Sequence, residues 1–358
     1  MDKVTLKDVA KLAGVSHTTV SLVVNKAAGS RVSPATRTRV LDAVRTLKYN
    51  PNLTAKRLAS GKMHAIGLYT PFKVPIFRNF TFLEMLTGIQ DVLSQKGYDL
   101  VLFSGGRNLY KHRPIQQIVR ENTVDGLIIF NTRYTNQRFV KGYIDVLRDL
   151  NFNFVVVHYY WGKSAINYVG VDYEKATRMG MDHLLALGHK KIALLAGNYK
   201  APVTAKILNA FKKSLQDFEI AYDEALVVYA DYDYDMAYQK TKDLLGRYPQ
   251  ITAFFVAGFE MAPACLKAIR QKGVTVPQEI SILCYVDDQI IPVLDPPLTA
   301  IKWPYYSMGK MAAQILINES QTTQKEIFYT ELVIRGSTAG IDERRQHIKN
   351  PSKKEARP

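Results

Sequence analysis

His17, Thr18, Ser21 and Asn25 recur at helical spacing, so on a helix they share one face, with Leu22 in their midst. Imidazole, hydroxyl and amide groups set out in this way are short hydrogen-bonding arms of the kind that meet base edges and phosphate oxygens in a DNA major groove. The charge around them fits a polyanionic partner. Residues 1–62 hold twelve Lys and Arg against three Asp, which is +9 of the +16 net charge carried by all 358 residues. The basic surface is thus concentrated at one end.

Other residues with chemical potential read as structural. Gly105 and Gly106 follow a strand-like run but lack the spacing of a dinucleotide-binding turn. Asp287 and Asp288 are adjacent, so their carboxylates diverge on an extended segment and do not form an acid–base pair. The seven histidines show no metal-ligand spacing, and His183 and His189 are assigned to packing or helix capping. Cys265 and Cys284 fall on apolar stretches and are too few for a disulfide framework or a zinc site. No catalytic residue, metal or cofactor is expected.

The DNA-reading face needs a scaffold, and the first fifty residues supply it. Leu6, Val9, Ala10 and Ala13 mark a first helix with Thr5 as its N-cap; Gly14 makes the tight turn and Val15 plugs the angle. Ser16 caps the second helix, whose Val20, Val23 and Val24 point inward. A third begins with Ser33 as N-cap and Pro34 at its first position, then runs through Val40, Leu41, Val44 and Leu47. After it, Asn52 can cap a short helix through Ala59, ended by Gly61; so short a segment is frayed in isolation.

From Ala65 onward, short β-rich runs at 65, 98, 126, 154, 191, 253 and 280 alternate with amphipathic helices, which implies parallel sheets with crossover helices. Gly97 and Gly188 stand where helix stops belong. Apolar residues make up 47% and no apolar run reaches the length of a membrane span, so a cytoplasmic protein without membrane contact is expected. The tail 341–358 is polar and basic and reads as disordered, without leucine heptads.

The string Thr-Leu-Lys-Asp-Val-Ala-Lys-Leu-Ala-Gly-Val-Ser-His-Thr-Thr-Val-Ser from Thr5, with Val-Ser-Pro-Ala-Thr-Arg and Tyr-Asn-Pro-Asn-Leu-Thr-Ala-Lys-Arg-Leu-Ala after it, resembles the headpiece of lactose-repressor-type regulators over residues 4–61. The resemblance implies that Ser16, Ser21 and Asn25 hold phosphates while His17, Thr18 and Leu22 read bases. It implies further DNA contacts for Thr5, Arg31, Ser33, Thr36, Tyr49, Asn52, Ala55, Lys56 and Leu58. Leu58 matches the hinge leucine that wedges into a central minor-groove step, kinking the duplex in exchange for contact. Relatives often carry Arg where this chain has Leu22, so a guanine is not expected at the matching operator position. The loop at 26–31 is longer than usual.

The likeness continues through His-Leu-Leu-Ala-Leu-Gly-His-Lys-Lys-Ile-Ala, Val-Pro-Gln-Glu-Ile-Ser and Pro-Pro-Leu-Thr-Ala-Ile to about Gly340, and implies a sensor similar to periplasmic sugar-binding proteins. Sugar-binding members usually place Arg, an Asn-Asp pair, an Asp pair and a further Asp around the cleft. The matching positions here read Ile207, Gly258 with Phe259, Val286 with Asp287, and His158. Forked Arg and carboxylate groups are what grip sugar hydroxyls. In their place the matched cleft offers Phe72, His158, Tyr159, Phe259, Tyr285 and Trp303, which suits a flatter or less polar ligand, and suits equally a closed cleft filled by its own rings.

The sequence therefore predicts an all-α helix-turn-helix headpiece (1–50), a hinge helix (51–62), an α/β two-lobed sensor resembling a periplasmic binding protein (63–340) and a basic tail (341–358). It predicts a homodimeric repressor on a near-palindromic double-stranded operator, controlled by a small-molecule effector other than a simple sugar. The alternative is control by a protein corepressor with the cleft disused.

Overall fold

The computed structural model describes residues 4–24, 32–50, 61–70, 80–104, 114–131, 137–158, 165–318 and 322–341. The chain divides into two units, Met1–His64 and Ala65–Pro358.

In the first unit, helices α1 (Leu6–Ala13), α2 (His17–Val24) and α3 (Pro34–Thr46) close on a core of Val9, Ala10, Ala13, Val20, Val23, Val40 and Ala43. Gly14 takes φ 62°, the left-handed conformation that lets the chain turn sharply into α2. Ser33 accepts the Thr36 N–H at 3.2 Å, as an N-cap should. Thr5 is the N-cap of α1 as expected, in a capping box with Asp8: the Asp8 carboxylate accepts the Thr5 hydroxyl at 2.7 Å and the Thr5 N–H at 2.8 Å, and these bonds hold the Asp8 carboxyl below its ordinary range. Leu41 is exposed and Ala43 buried, since the inward stripe of α3 runs through positions 40, 43, 44 and 47, and Leu41 stands about 100° around the helix from Val40, at the far edge of that stripe.

The second unit holds two six-stranded sheets. Strands β1 (Ala65–Thr70), β2 (Asp99–Ser104), β3 (Gly126–Phe130), β4 (Phe154–Val157), β5 (Tyr168–Val171) and β11 (Lys325–Phe328) form the N-lobe in the order β11-β5-β4-β3-β1-β2, all parallel. The C-lobe has the order β12-β10-β9-β8-β6-β7, from β6 (Ile192–Ala196), β7 (Val227–Tyr229), β8 (Ala253–Val256), β9 (Ser281–Cys284), β10 (Thr299–Lys302) and an antiparallel edge strand β12 (Glu331–Val333). Strands β1, β3, β4, β6, β8 and β9 are buried throughout, which is why they read as unbroken apolar runs: helices cover both faces of such sheets.

The chain crosses between lobes three times. It leaves β5 into α7 (Tyr173–Ala186), which packs on β8, β10 and β12, and returns from β10 into α11 (Tyr305–Ile317), which packs on α4 (Phe80–Gln95) of the N-lobe. It crosses again from β11 to β12. Helices α4 and α11 touch backbone to backbone: a Cβ at Gly88 would stand 2.1 Å from the Tyr306 carbonyl oxygen, and one at Gly309 would stand 2.1 Å from that of Met85. Among the described residues no helix is long and apolar enough to cross a membrane.

Candidate functional site

On the headpiece, Ser16 accepts the Thr19 N–H at 3.2 Å and meets its hydroxyl at 2.9 Å, starting α2 with a fixed direction. Val20 and Val23 anchor the helix, and the opposite face carries His17, Thr18 and Leu22, all exposed, with Ser21 half-buried. The exposed 37% of Leu22 is an apolar surface able to meet a thymine methyl, but it has no hydrogen bond to offer. Thr5, Ser33 and Thr36 lie at helix starts, where N–H groups favour phosphate, and Tyr49 packs against the small core. Asn25, Arg31, Asn52, Ala55, Lys56 and Leu58 lie outside the described residues.

In the sensor, the groups of interest gather where the parallel strands end at their carboxyl termini, the usual ligand crevice of such sheets. His158 follows β4 with φ 68°, a left-handed conformation uncommon for a residue with a Cβ. It is 3% exposed, its N–H donates to Val169 at 2.9 Å, and its Nδ1 lies 2.8 Å from the Tyr173 hydroxyl. Trp303, directly after β10, donates its indole N–H to the Tyr285 carbonyl at 3.0 Å, and Tyr285 donates its hydroxyl to the Tyr173 carbonyl at 2.9 Å. The ring of Trp303 lies 5.4 Å from each of His158, Tyr173 and Tyr285, and Tyr305 stacks on it at 6.0 Å. The cluster runs on to Phe130 and Phe82 in the N-lobe and to Phe255 and Phe211 in the C-lobe.

Edge-to-face contacts at these distances are favourable by roughly 0.5–1.5 kcal/mol each beyond the burial of the rings. Their position matters as much. Tyr173 opens the first crossover and Trp303 and Tyr305 flank the second, so the aromatic cluster joins the lobes at two of their crossings.

Of the expected effector contacts, the structure brings His158, Tyr285 and Trp303 together. Ile207 sits 1% exposed in the core, on α8 (Pro202–Asp217), and Phe259 is half-buried just after β8. Phe72 and Tyr159 lie outside the described residues. Asp287 is held by Arg335, whose guanidinium donates to its two oxygens at 3.0 and 2.7 Å and to the Leu298 carbonyl at 2.7 Å. Asp288 diverges from it, taking the Ile290 N–H at 3.4 Å.

Sequence reasoning missed Tyr173, Tyr305, Phe130 and Arg335, which lie far apart in the chain. It also missed Tyr232. This residue has φ 57° just past β7, and its ring fills the space above Gly197 and Gly258, where a Cβ would come within 2.0 and 2.7 Å of it. The two glycines lie just past β6 and β8, so the ring spans the C-lobe strand ends. Left-handed tyrosine is costly and persists where surrounding packing fixes it.

The remaining polar residues behave as expected. His189, fully buried, meets Thr252 at 3.0 Å, Ser281 at 3.1 Å and the Ala339 carbonyl at 3.2 Å, and His183 meets Thr338 at 3.0 Å. Burial pushes the Cys265 thiol up to about 12 and that of Cys284 up as well. No group of acidic, His or Cys side chains among the described residues could hold a metal ion.

Residues 5–52 match the family model for bacterial regulatory proteins of the lacI family, and residues 181–338 match the periplasmic binding protein-like domain. Catabolite control protein A of Priestia megaterium is 29% identical over 314 residues, covering 87% of this chain and 91% of that protein. The HTH-type transcriptional repressor PurR of Photobacterium profundum is 29% identical over 345 residues, covering 94% and 99%. The crystal structure of the lac repressor dimer bound to operator and the anti-inducer ONPF superposes with a TM-score of 0.79 at 28% identity, covering 95% of this chain and 100% of that one. These similar proteins are transcriptional regulators, not enzymes.

Proposed function

This chain belongs to the lacI family of DNA-binding transcriptional repressors with a ligand-binding sensor, and from that premise we propose a cytoplasmic homodimer on a near-palindromic operator whose affinity is set by a small ligand less polar than a sugar. The observation that carries the ligand class is the pairing of Asp287 with Arg335. That carboxylate is the one remaining acid at the matched sugar positions, and both its oxygens are engaged by the guanidinium. The cleft groups His158, Tyr285 and Trp303 are rings, as Phe72, Tyr159 and Phe259 are by sequence. A ligand held by stacking and one or two hydrogen bonds fits such walls.

Dimerisation is supported by exposed large apolar residues, Tyr234, Met236, Ile290 and Val293 on the C-lobe and Phe80 and Leu102 on the N-lobe, and by the dimeric state of the operator-bound relative. No finding favours a protein corepressor. The test is operator binding and thermal unfolding of the full-length protein with flat heteroaromatic metabolites and with monosaccharides. Stabilisation and a changed operator affinity are expected with a member of the first set. A monosaccharide that raises the melting midpoint by several degrees overturns the ligand class.

A further inference from the structure

Asp288 follows β9 at the C-lobe strand ends and is 7% exposed. One carboxylate oxygen takes the long 3.4 Å bond from Ile290; the other, Oδ2, is buried and accepts no hydrogen bond. A carboxylate so placed is costly to ionise unless a donor reaches it. Among the described residues, the charged groups it feels are all acids. Three further acids stand close enough to be felt electrostatically: Glu84 on α4 of the opposite lobe, Glu260 after β8, and neighbouring Asp287. Among the described residues, Lys302 is drawn to Glu84 and Arg335 is bonded to Asp287.

The Asp287 N–H donates to the Ile301 carbonyl at 2.8 Å, which keeps this acidic turn beside the end of β10, where Trp303 and the aromatic cluster begin. The place thus combines an unsatisfied buried carboxylate, a surplus of negative charge contributed by both lobes, and ring systems. Among known ligand chemistries, that combination selects an organic cation.

Resting on the reading of the cleft as a site for a small, weakly polar ligand, we infer that the effector carries a cationic nitrogen, an ammonium or amidinium on an apolar or aromatic body, and that this nitrogen docks on Asp288. Arrival of the cation supplies the missing donor and offsets the repulsion between Glu84 of one lobe and the acids of the other, so binding favours approach of the lobes. Burial and the neighbouring acids hold the Asp288 carboxyl above its ordinary range, so cation binding releases a proton and tightens as pH rises.

The test uses benzylamine, benzyl alcohol and benzoate, near-isosteres that differ in charge, with the full-length wild type and Asp288→Asn. Binding is read by calorimetry and by the shift in melting midpoint. Benzylamine is expected to bind at least tenfold more tightly than the other two, with its advantage lost in Asp288→Asn while that variant still folds and melts cooperatively. Benzyl alcohol binding as well as benzylamine overturns the cation and leaves the weakly polar cleft standing. An amine advantage that survives Asp288→Asn overturns the assigned residue. Binding by a monosaccharide but by none of the three overturns both readings, and no binding by benzylamine at ten millimolar overturns the cation (about 10 mM being the weak end of fragment-sized affinities).

Discussion

Asp287→Ala removes one side of a nearly buried ion pair, and the structure gives the size of the effect. The two side chains are 12% and 18% exposed, and the guanidinium of Arg335 makes two bonds of 2.7 and 3.0 Å to the carboxylate. Loss of Asp287 leaves a charged guanidinium with the Leu298 carbonyl as its named acceptor. Breaking a buried pair from one side costs about 3–5 kcal/mol. Residual exposure lets water reach Arg335, so the lower end, about 3 kcal/mol, is the better figure. A sensor of this size loses about 2–4 °C per kcal/mol, so the melting midpoint should fall by about 6–12 °C in a circular-dichroism melt.

The double variant Asp287→Ala/Arg335→Met should recover part of that loss, because the stranded charge has gone, and the cycle should return a coupling of about 1–3 kcal/mol. Effector response should survive in whatever fraction remains folded. A midpoint within about 2 °C of wild type would refute the structural role. Asp287 would then be free to grip a ligand, and the case against a sugar would fall with it.

Gly309→Ala should destabilise by about 1–3 kcal/mol or more, since the new methyl meets the Met85 carbonyl at 2.1 Å and neither helix can retreat without losing the other contacts of α4 on α11; urea unfolding of the sensor checks it. Asp288 should make the protein less stable as pH rises. Its folded pKa lies above the ordinary aspartate range, so the native state keeps the proton longer than the unfolded chain and loses stability as pH climbs through the folded value. Asp288→Asn should therefore melt higher than wild type at neutral pH, with the gap closing toward pH 4 (about the ordinary Asp value). Leu58→Ala, in a segment outside the described residues, should weaken operator binding while leaving non-specific, salt-sensitive binding intact; equal loss on both would count against the wedge. Selection from random duplexes should show no fixed guanine under Leu22, and Leu22→Arg should introduce one, worth about 1–3 kcal/mol of discrimination.

The headpiece was legible because its signals are local. A cap, a turn glycine and an apolar stripe each act within a few residues, and the polar face left over by Val20 and Val23 is the one the helix offers to solvent, which we propose meets DNA. Leu41 shows the same locality: identity announces an apolar residue, but its angle around the helix decides whether it turns inward, and that angle follows from Val40 and Ala43. The buried strands were equally plain, being unbroken apolar runs. Strand β5 was not read; in the sheet its Gly170 leaves room for the Tyr168 side chain, whose hydroxyl lies 2.0 Å from where a Cβ would stand. Edge strands β7 and β11 escaped too, for they are short and half-exposed and so lack the apolar run.

The sequence by itself determined the family, the succession of headpiece helices and α/β sensor, and the poverty of sugar-gripping residue types, since each rests on residue type and short-range spacing. The tertiary structure alone decided how those groups are spent. It bound Asp287 to Arg335 across 48 positions of chain, laid Tyr232 over two glycines from other strands, and drew Phe130, His158, Tyr173, Tyr285, Trp303 and Tyr305 into one cluster at the crossovers. No local rule contains these contacts, because parallel sheets pair strands that are distant in sequence and bring their carboxyl ends together only after both lobes have formed.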